Sequence, residues 1–411
     1  MGGIKTHDSK PTPDHAAARR RTALRNTALT AALVAAYAYA PDTGAVNLTI
    51  GNTQDLGDST MTNSTVTVLD GGVVTGDGTQ ISGKAYEMLR IESGGSLTLE
   101  NATLTNDVQP NQNGRTVTAT GAGANATLKD STITLNAYDG YAGGHAFTAG
   151  VGAENGGHAV IDGGTVTGSG SKRTVGIQAN DGGSIDASHV VISTHSTFGH
   201  AVNAYRTVSS PESETRVTLD HVTIHTYDPN YADGIQSANK GASVEATDTD
   251  ITTVGTNSFG AEVFNGASAS LTRGSITTSG AAAAGVRVYG GSLGNGVVTI
   301  DGTRISTSGA GAIGASAADA AEQTSGTIHL TDTTIETHGA NAPALQSSYG
   351  SQITSGGGNT FHTHGANSTG VAASTGGSVS LAGDDSVTAE QGYGISANST
   401  GSMITTNGTT I

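Results

Sequence analysis

One β-branched or apolar residue returns at a regular distance along most of the chain, each time just after a small polar turn. The distance between successive members is 24 to 33 residues, about 28 on average. We call these residues the marks: Val74, Leu104, Ile133, Val166, Ile192, Ile224, Ile251, Ile276, Ile305, Ile335, Phe361, Val387 and Ile411. A period of this length is typical of solenoid repeats, so the pattern predicts a repeat protein.

Two apolar or small residues precede each mark at a strand-like spacing. They stand seven and five positions before it, as in Leu97 and Leu99, Ile185 and Ala187, Val217 and Leu219, Val244 and Ala246, Val298 and Ile300, and Ile328 and Leu330. Their two-residue period is that of a strand with one buried face. A four-residue polar turn such as Asp301–Arg304 separates the pair from the mark, and such residues favour bends. Each repeat is therefore predicted to contain two strands joined by a tight turn.

A threonine and a third strand complete the repeat. Threonine stands two residues after the mark in seven successive repeats: Thr194, Thr226, Thr253, Thr278, Thr307, Thr337 and Thr363. Register this strict indicates stacked strands, since a slip of one residue would turn every side chain to the other face. After a glycine-rich stretch of variable length, a third strand follows at Gly176–Asn180, Gly234–Ala238, Gly285–Val288 and Gly394–Asn398.

Three short strands per repeat, with constant strand spacing and variable turns, predict an all-β fold. We expect a right-handed, three-sheet parallel β-helix of about thirteen coils over residues 41–411. A propeller needs four strands in about 40 residues or more per blade, and a leucine-rich repeat needs a denser leucine pattern. Coils within 45–100 are less regular and are expected to form a cap. The chain stops at Ile411, the mark of a new coil, which we interpret as truncation within a coil.

Composition agrees with a narrow interior and narrows the range of partners. The chain has 61 glycines, 4% aromatic residues and no tryptophan, an inventory that cannot build a globular core of large side chains. A net charge of −16 argues against a nucleic-acid partner, because phosphate backbones require clustered Lys and Arg. The absence of cysteine excludes disulfides and thiolate chemistry.

Residues 1–40 are predicted to be an extended leader with a signal peptide. Arg19–Arg21 precede the short apolar run Ala28–Ala36, which has the order of a secretory signal and is too short for a membrane anchor. Small-x-small sites follow at Ala36–Ala38 and Ala38–Ala40. We expect cleavage after Ala38, because Pro41 restricts the chain just beyond the second site. The export route stays open.

The coil sequences resemble those of a known family. Gly95–Leu104 (GSLTLENATL) and Gly326–Ile335 (GTIHLTDTTI) look like coils of autotransporter passenger domains of the pertactin and diffuse-adherence adhesin type, and the resemblance covers roughly residues 45–411. It implies a passenger at the cell surface, in the outer membrane or outside a Gram-negative bacterium. It also implies surface ligands on host or neighbouring cells, and a translocator β-barrel that this chain does not contain.

Four histidines are candidate metal ligands. His189 and His221 stand three residues before their marks, and His338 and His364 stand three residues after theirs, with His362 nearby. Members of each pair should stack on adjacent coils at a separation suited to a shared ion. Solvated turn histidines are the competing interpretation and the one we favour, so no metal and no cofactor is expected.

Several carboxylates are candidates for catalysis. Parallel β-helices include polysaccharide lyases and hydrolases that use carboxylate clusters or a basic residue on one sheet face. Candidates are Asp220 with His221, Asp248, Asp250, and Asp384 with Asp385. The pattern shows no three carboxylates in register and no Lys or Arg beside one. We therefore expect a protein that is not an enzyme and has no catalytic residues.

Loops that interrupt the coils are the candidate binding elements. They lie at 107–114, 138–145, 205–216 and 227–233, and they contain Tyr138, Tyr141, Tyr227 and Tyr231. Scarce aromatic residues in loops can anchor an interface, although tolerated insertions would have the same appearance.

The function expected from these features is surface display with adhesion, aggregation or host interaction. A β-helix polysaccharide lyase or hydrolase is the first alternative, and a truncated remnant without its translocator is the second. A sheet face that groups three carboxylates, or carboxylates with a Lys or Arg, in a groove would favour the enzyme.

Overall fold

The fold is given by a computed structural model, which describes residues 46–108, 114–137, 148–207, 214–318 and 324–411. The expected leader over 1–40 lies outside these residues. The described residues form strands and turns without a helix, as the repeat pattern predicts. None of them forms a helical segment with the length and apolar character needed to cross a bilayer.

The strands belong to three sheets. Sheet A contains β1 (Asn47–Ile50), β4 (Thr65–Val68), β7 (Glu87–Ile91), β10 (Arg115–Thr120), β13 (Thr148–Glu154), β16 (Thr174–Asn180), β19 (Val202–Tyr205), β22 (Ile235–Ala238), β25 (Ala261–Phe264), β28 (Val286–Gly291), β29 (Gly294–Asn295), β32 (Ala315–Ala317), β35 (Leu345–Ser348), β38 (Val371–Ser374) and β41 (Ile395–Asn398).

Sheet B contains β2 (Thr53–Asp55), β5 (Val73–Asp77), β8 (Ser96–Glu100), β11 (Asn125–Lys129), β14 (His158–Asp162), β17 (Ser184–Ser188), β20 (Thr215–Asp220), β23 (Ala242–Thr247), β26 (Ser268–Thr272), β30 (Val297–Asp301), β33 (Thr327–Thr331), β36 (Gln352–Ser355), β39 (Ser378–Leu381) and β42 (Met403–Thr406).

Sheet C contains β3 (Thr60–Met61), β6 (Gln80–Gly83), β9 (Thr103–Val108), β12 (Thr132–Ala137), β15 (Thr165–Lys172), β18 (Val191–Thr197), β21 (Thr223–Thr226), β24 (Asp250–Thr253), β27 (Ser275–Thr278), β31 (Arg304–Thr307), β34 (Thr334–Thr337), β37 (Thr360–Thr363) and β40 (Ser386–Ala389).

Along the chain, strands enter sheets A, B and C in rotation, and each strand pairs in parallel with the strand one coil away. The short hairpin of β28 with β29 is antiparallel. Sheet C has thirteen strands, which matches the expected number of coils. The molecule is therefore a three-sheet parallel β-solenoid in which each coil contacts its neighbours.

The marks form one buried column in sheet C. Register pairs run without interruption from Leu104 to Val387, and these side chains are buried. Thr410 pairs with Ser386, so Ile411 continues the column.

Val74 was wrongly assigned as a mark. It lies in sheet B opposite Leu97, while Ile81 is the residue opposite Leu104. Both candidates follow a glycine turn with positive φ, at Gly71 (φ 70°) and at Gly78 (φ 71°). The local sequence is therefore alike at the two sites. Because the first coils are shorter than the later ones, the repeat length does not distinguish Val74 from Ile81.

The threonine column is confirmed, and its side chains close a turn. All seven hydroxyl-bearing side chains are buried. Five of them donate to the backbone carbonyl five residues later, with oxygen–oxygen distances of 2.5 to 3.2 Å. The hydroxyls of Thr194 and Thr226 have no hydrogen-bond partner among the described residues. The column thus does more than fill the interior, because most members also fix the exit from sheet C.

Candidate functional site

His189 and His221 occupy a structural corner of the coil. Their rings stack with centroids 5.5 Å apart and planes 19° apart, as the shared position predicts. Both have left-handed backbones, with φ of 51° and 53°. The same position in the next coils holds Asp248 (φ 48°) and Arg273 (φ 57°). Asn, Asp and His are enriched in this conformation, so the turn itself accounts for the residue types.

The carboxylates near His221 already have a cationic partner. His221 Nδ1 lies 2.9 Å from Asp220 Oδ1, and His221 Nε2 lies 3.9 Å from Asp248 Oδ2. Arg273 donates two hydrogen bonds to Asp248, at 2.9 and 3.2 Å. These bonds lower the pKa of Asp248. A metal ion at this corner would have to displace the guanidinium.

His338 and His364 stack as expected, but His364 also contacts the carboxylate of Glu390. Their ring centroids are 4.5 Å apart with planes 4° apart. Lone pairs of parallel imidazoles lie in the ring planes, so they do not converge on one ion between the rings. His364 Nδ1 lies 2.9 Å from Glu390 Oε1, and His362 Nε2 lies 3.0 Å from the same oxygen. Desolvation acts to raise the pKa of Glu390, but the bonds from the two histidines outweigh it and lower that pKa below its usual value.

Two of the four candidate tyrosines lie in the described structure, and each stacks on a ring of the preceding coil. Tyr227 lies on His195 with centroids 4.6 Å apart, and Tyr231 lies on Phe198 with centroids 5.1 Å apart. Tyr231 is 45% exposed and Phe198 42% exposed. Tyr138 and Tyr141 fall outside the described residues.

Phe198 and Tyr231 stand at a turn position that disfavours them. Their φ values are 57° and 52°, in the left-handed region. The corresponding turns of later coils carry small or amide residues with φ of 51° to 67°: Asn257, Ala282, Gly311, Asn341 and Asn367. A bulky residue in this conformation is an outlier, at a cost of roughly 1–2 kcal/mol. Strain of this kind is found most often at functional sites.

Next to the aromatic pair lies a cavity of about 220 Å³, which we call the charged groove. Three columns of side chains on consecutive coils build it. The first is the turn column with Phe198, Tyr231 and Asn257, the second contains His200, Asp233 and Phe259, and the third contains Gln236, Glu262 and Arg287. Each full coil contributes residues at positions i, i+2 and i+5, as in Tyr231, Asp233 and Gln236.

Ionisable groups of the charged groove hold one another in place. His200 Nδ1 lies 3.1 Å from Asp233 Oδ2, and the backbone N–H of Phe259 donates to Asp233 Oδ1 at 2.7 Å. Gln236 Nε2 donates to Glu262 Oε2 at 3.1 Å. An Arg287 nitrogen lies 3.5 Å from Glu262 Oε1. The groove therefore contains two carboxyl groups, an imidazole and two guanidinium groups, since Arg173 also lines it.

Burial gives Glu262 unusual acid–base properties. Desolvation, with the negative charge of Asp233 as the next cause, raises the pKa of Glu262 to about 7, against the lowering effects of Arg287, His200 and Gln236. A carboxyl group with this pKa can donate or accept a proton near neutral pH.

The charged groove was missed at the sequence level. The expectation that no Lys or Arg stands beside a carboxylate in register is wrong, because Glu262 and Arg287 are direct partners in sheet A. The residues weighed instead lie elsewhere: Asp250 is exposed and bonds Ser275, and Asp385 is buried and bonds Asn359. The i, i+2, i+5 spacing was the available signal, and it is complete on two successive coils, at Tyr231, Asp233 and Gln236 and at Asn257, Phe259 and Glu262.

Comparisons with known proteins give limited information. No family model matches the chain, and no curated protein matches it. A solved structure of a hyper-glycosylated TibA fragment, glycosylated by TibC, is 16% identical, with 89% of this chain and 93% of that chain covered and a TM-score of 0.28. The A-module of the mannuronan C-5 epimerase AlgE6 of Azotobacter vinelandii is 16% identical, with 91% and 92% covered and a TM-score of 0.29. Likenesses this low carry no argument about activity.

Proposed function

We propose that this chain is an exported surface rod that binds glycans in the charged groove. The observation that supports the proposal is the placement of an exposed aromatic pair, Phe198 and Tyr231, beside buried amide and carboxyl groups and a partly exposed guanidinium. Ligand sites commonly combine aromatic walls with a few well-placed polar groups. The strained turns that carry both aromatic residues also favour a role beyond packing.

Both halves of the groove suit a sugar chain. The exposed parts of the stacked Phe198 and Tyr231 rings offer apolar contact to a pyranose, while Gln236 and Asp233 can bond its hydroxyl groups. Arg287, whose side chain is 27% exposed, matches a sugar carboxylate by bidentate pairing. Successive coils rise by about 4.8 Å, so a sugar chain that runs along the charged groove would meet side chains of more than one coil. We therefore infer a uronic-acid polysaccharide as the ligand class.

Export and display belong to the same proposal. The coil motifs at Gly95–Leu104 and Gly326–Ile335 resemble autotransporter passenger domains, and the basic and apolar run within 1–40 has the order of a secretory signal. A groove that binds glycans would let such a passenger adhere to polysaccharides on host or neighbouring cells.

Cleavage of the bound glycan is the second candidate function. The observation that favours it is the pairing of Glu262, whose pKa is raised to about 7, with Asp233 in the same groove. As the glycosidic bond breaks, Glu262 would protonate the leaving oxygen, and Asp233 would take a proton from the water that attacks the anomeric carbon. An assay for cleavage of the glycan therefore tests the expectation that the chain is not an enzyme.

Binding is tested by calorimetric titration of the full chain with a soluble polyuronate and with a neutral glucan. We expect the polyuronate to bind and both Tyr231→Ala and Arg287→Gln to weaken binding at least tenfold. The matched control is Glu245→Gln, which removes a carboxylate that is paired with Arg216 at 2.7 Å on sheet B. Equal binding by Tyr231→Ala, Arg287→Gln and the control would contradict the proposal.

Cleavage is tested separately by measuring new reducing ends and unsaturated uronate products. Turnover that Glu262→Gln abolishes would support the second candidate. Binding without turnover would leave adhesion as the function of the groove.

A further inference from the structure

A second cluster of histidine and carboxylate side chains lies several coils away from the charged groove. His338, His364 and Glu390 share the position three residues after their marks, so they stand on three consecutive coils. The N–H of His364 donates to Thr337 O at 2.8 Å, and that of Glu390 donates to Thr363 O at 3.0 Å. His362 lies two residues before His364 and thus projects from the same face of the coil.

Three of these side chains converge on one point. Ligand atoms of His362, His364 and Glu390 all lie within 4.8 Å of one another. The distances from His362 Nε2 and His364 Nδ1 to Glu390 Oε1 are 3.0 and 2.9 Å. Ligands of a tetrahedral zinc ion stand about 2.0–2.1 Å from the metal, and therefore about 3.3 Å from one another. The two nitrogen–oxygen distances are therefore within about 0.4 Å of the spacing between zinc ligands.

The three ligand side chains are open to solvent, and a neighbouring ring restrains one of them. Side-chain exposures are 29% for His362, 31% for His364 and 47% for Glu390, so an ion can enter from solvent. The ring of His338 lies parallel to that of His364 with centroids 4.5 Å apart and restrains its plane. The ion partners of Glu390 within the described residues are the two histidines, in contrast to Asp248, which is held by Arg273.

We propose that His362, His364 and Glu390 form a site for a divalent transition-metal ion, with Zn²⁺ as the occupant. Imidazole nitrogens and a carboxylate oxygen are ligands that zinc prefers, and three protein ligands leave the fourth tetrahedral position to water. His338 restrains His364 and is not a ligand. The inference does not depend on glycan binding, since the cluster and the charged groove share no residue.

The test is titration of the metal-stripped full chain with Zn²⁺ in competition with a chromophoric chelator. We expect one ion per chain at this site, with affinity reduced by roughly 100-fold or more in His364→Ala and in Glu390→Gln, since loss of a direct ligand should cost at least as much as loss of an outer-shell partner. His338→Ala is the matched control and should keep most of the affinity. Co²⁺ substitution should give a visible absorption band that is lost in Glu390→Gln.

Two results would overturn the proposal. One is zinc affinity that is unchanged in both ligand variants while circular dichroism shows them folded. The other is loss of affinity in His221→Ala instead, which would place the ion at the corner formed by Asp220, His221 and Asp248. Glu390→Gln keeps the shape of the side chain, so it remains informative even if His364→Ala does not fold.

Discussion

At the scale of single residues, the charged groove is defined by groups placed where the local fold does not favour them. Glu262 is a carboxyl group with little access to water, and Tyr231 is an aromatic residue in a left-handed turn. Each lowers the stability of the fold relative to a residue that suits the coil position. Both effects can be measured.

Glu262 should make stability depend on pH in an uncommon direction. Its pKa is about 7 in the folded chain against an ordinary value of 4.5. Between these values the folded state holds a proton that the unfolded state has lost, so stability is fully present below pH 4.5 and falls as pH rises through 7. The expected loss is roughly 3 kcal/mol. Denaturation midpoints measured from pH 4.5 to 7.5 should show this decline, and Glu262→Gln should flatten it.

The control for this profile is Glu245→Gln, because Glu245 is half-exposed and paired with Arg216. It should keep the decline of the native chain. An unchanged profile in Glu262→Gln would mean that another group causes the dependence.

Tyr231→Asn should separate stability from binding. The substitution relieves backbone strain of roughly 1–2 kcal/mol and loses ring stacking with Phe198 worth about 0.5–1.5 kcal/mol. We therefore expect the stability of the variant to stay within about 1 kcal/mol of the native chain, while affinity for the polyuronate falls. A large loss of stability with unchanged affinity would indicate that the aromatic pair is structural.

Sequence reasoning located the tyrosines but not the acidic groups beside them. Tyr231 attracts notice because aromatic residues are rare in this chain. Asp233 and Glu262 resemble other polar residues, and they meet only because successive coils are stacked in register. The unequal loops between coils concealed that register in the third strand.

At the scale of elements, the turn after sheet C depends on threonine hydroxyls. Thr337 Oγ1 donates to Ala342 O at 2.6 Å in the interior. Thr337→Val leaves that carbonyl without its partner and should destabilise the chain by about 1–2 kcal/mol. Thr226→Val is the control, since the Thr226 hydroxyl is buried without a partner among the described residues, and it should be neutral or stabilising. Equal losses in the two variants would show that the hydroxyl bond is unimportant.

Glycine before the sheet A strand makes room for the mark column. A Cβ atom added to Gly260 would lie 2.2 Å from Ile276 Cγ2 and 2.5 Å from Gly285 O. Gly260→Ala should therefore cost about 3 kcal/mol or more, as overpacking does. Gly51→Ala meets open space and should change stability by less than about 0.5 kcal/mol. Thermal unfolding of both variants measures the difference.

The strand pattern could be predicted from the sequence because the buried positions repeat. Ile224, Ile251 and Ile276 follow similar polar turns, and a two-residue period sets which side chains point inward. The failure at Val74 has the opposite cause. In the first coils two glycine turns precede equally apolar strands, so only the three-dimensional pairing distinguishes Val74 from Ile81.

At the scale of the whole molecule, the stacking of coils brings residues from distant parts of the sequence together on one surface. No single coil carries the charged groove or the proposed zinc site. Each arises because neighbouring coils place unlike side chains at the same position, which is how a uniform scaffold can acquire a local site. Variation along one column therefore carries more information about function than the repeat itself.

The most direct test of the charged groove is a crystal structure of the full chain with a short oligouronate. The account predicts a sugar ring over Tyr231 and Phe198, with a carboxylate bound by Arg287 and the next sugar near Asp233 and Glu262. An oligosaccharide bound on another face of the rod, with the charged groove empty, would contradict it.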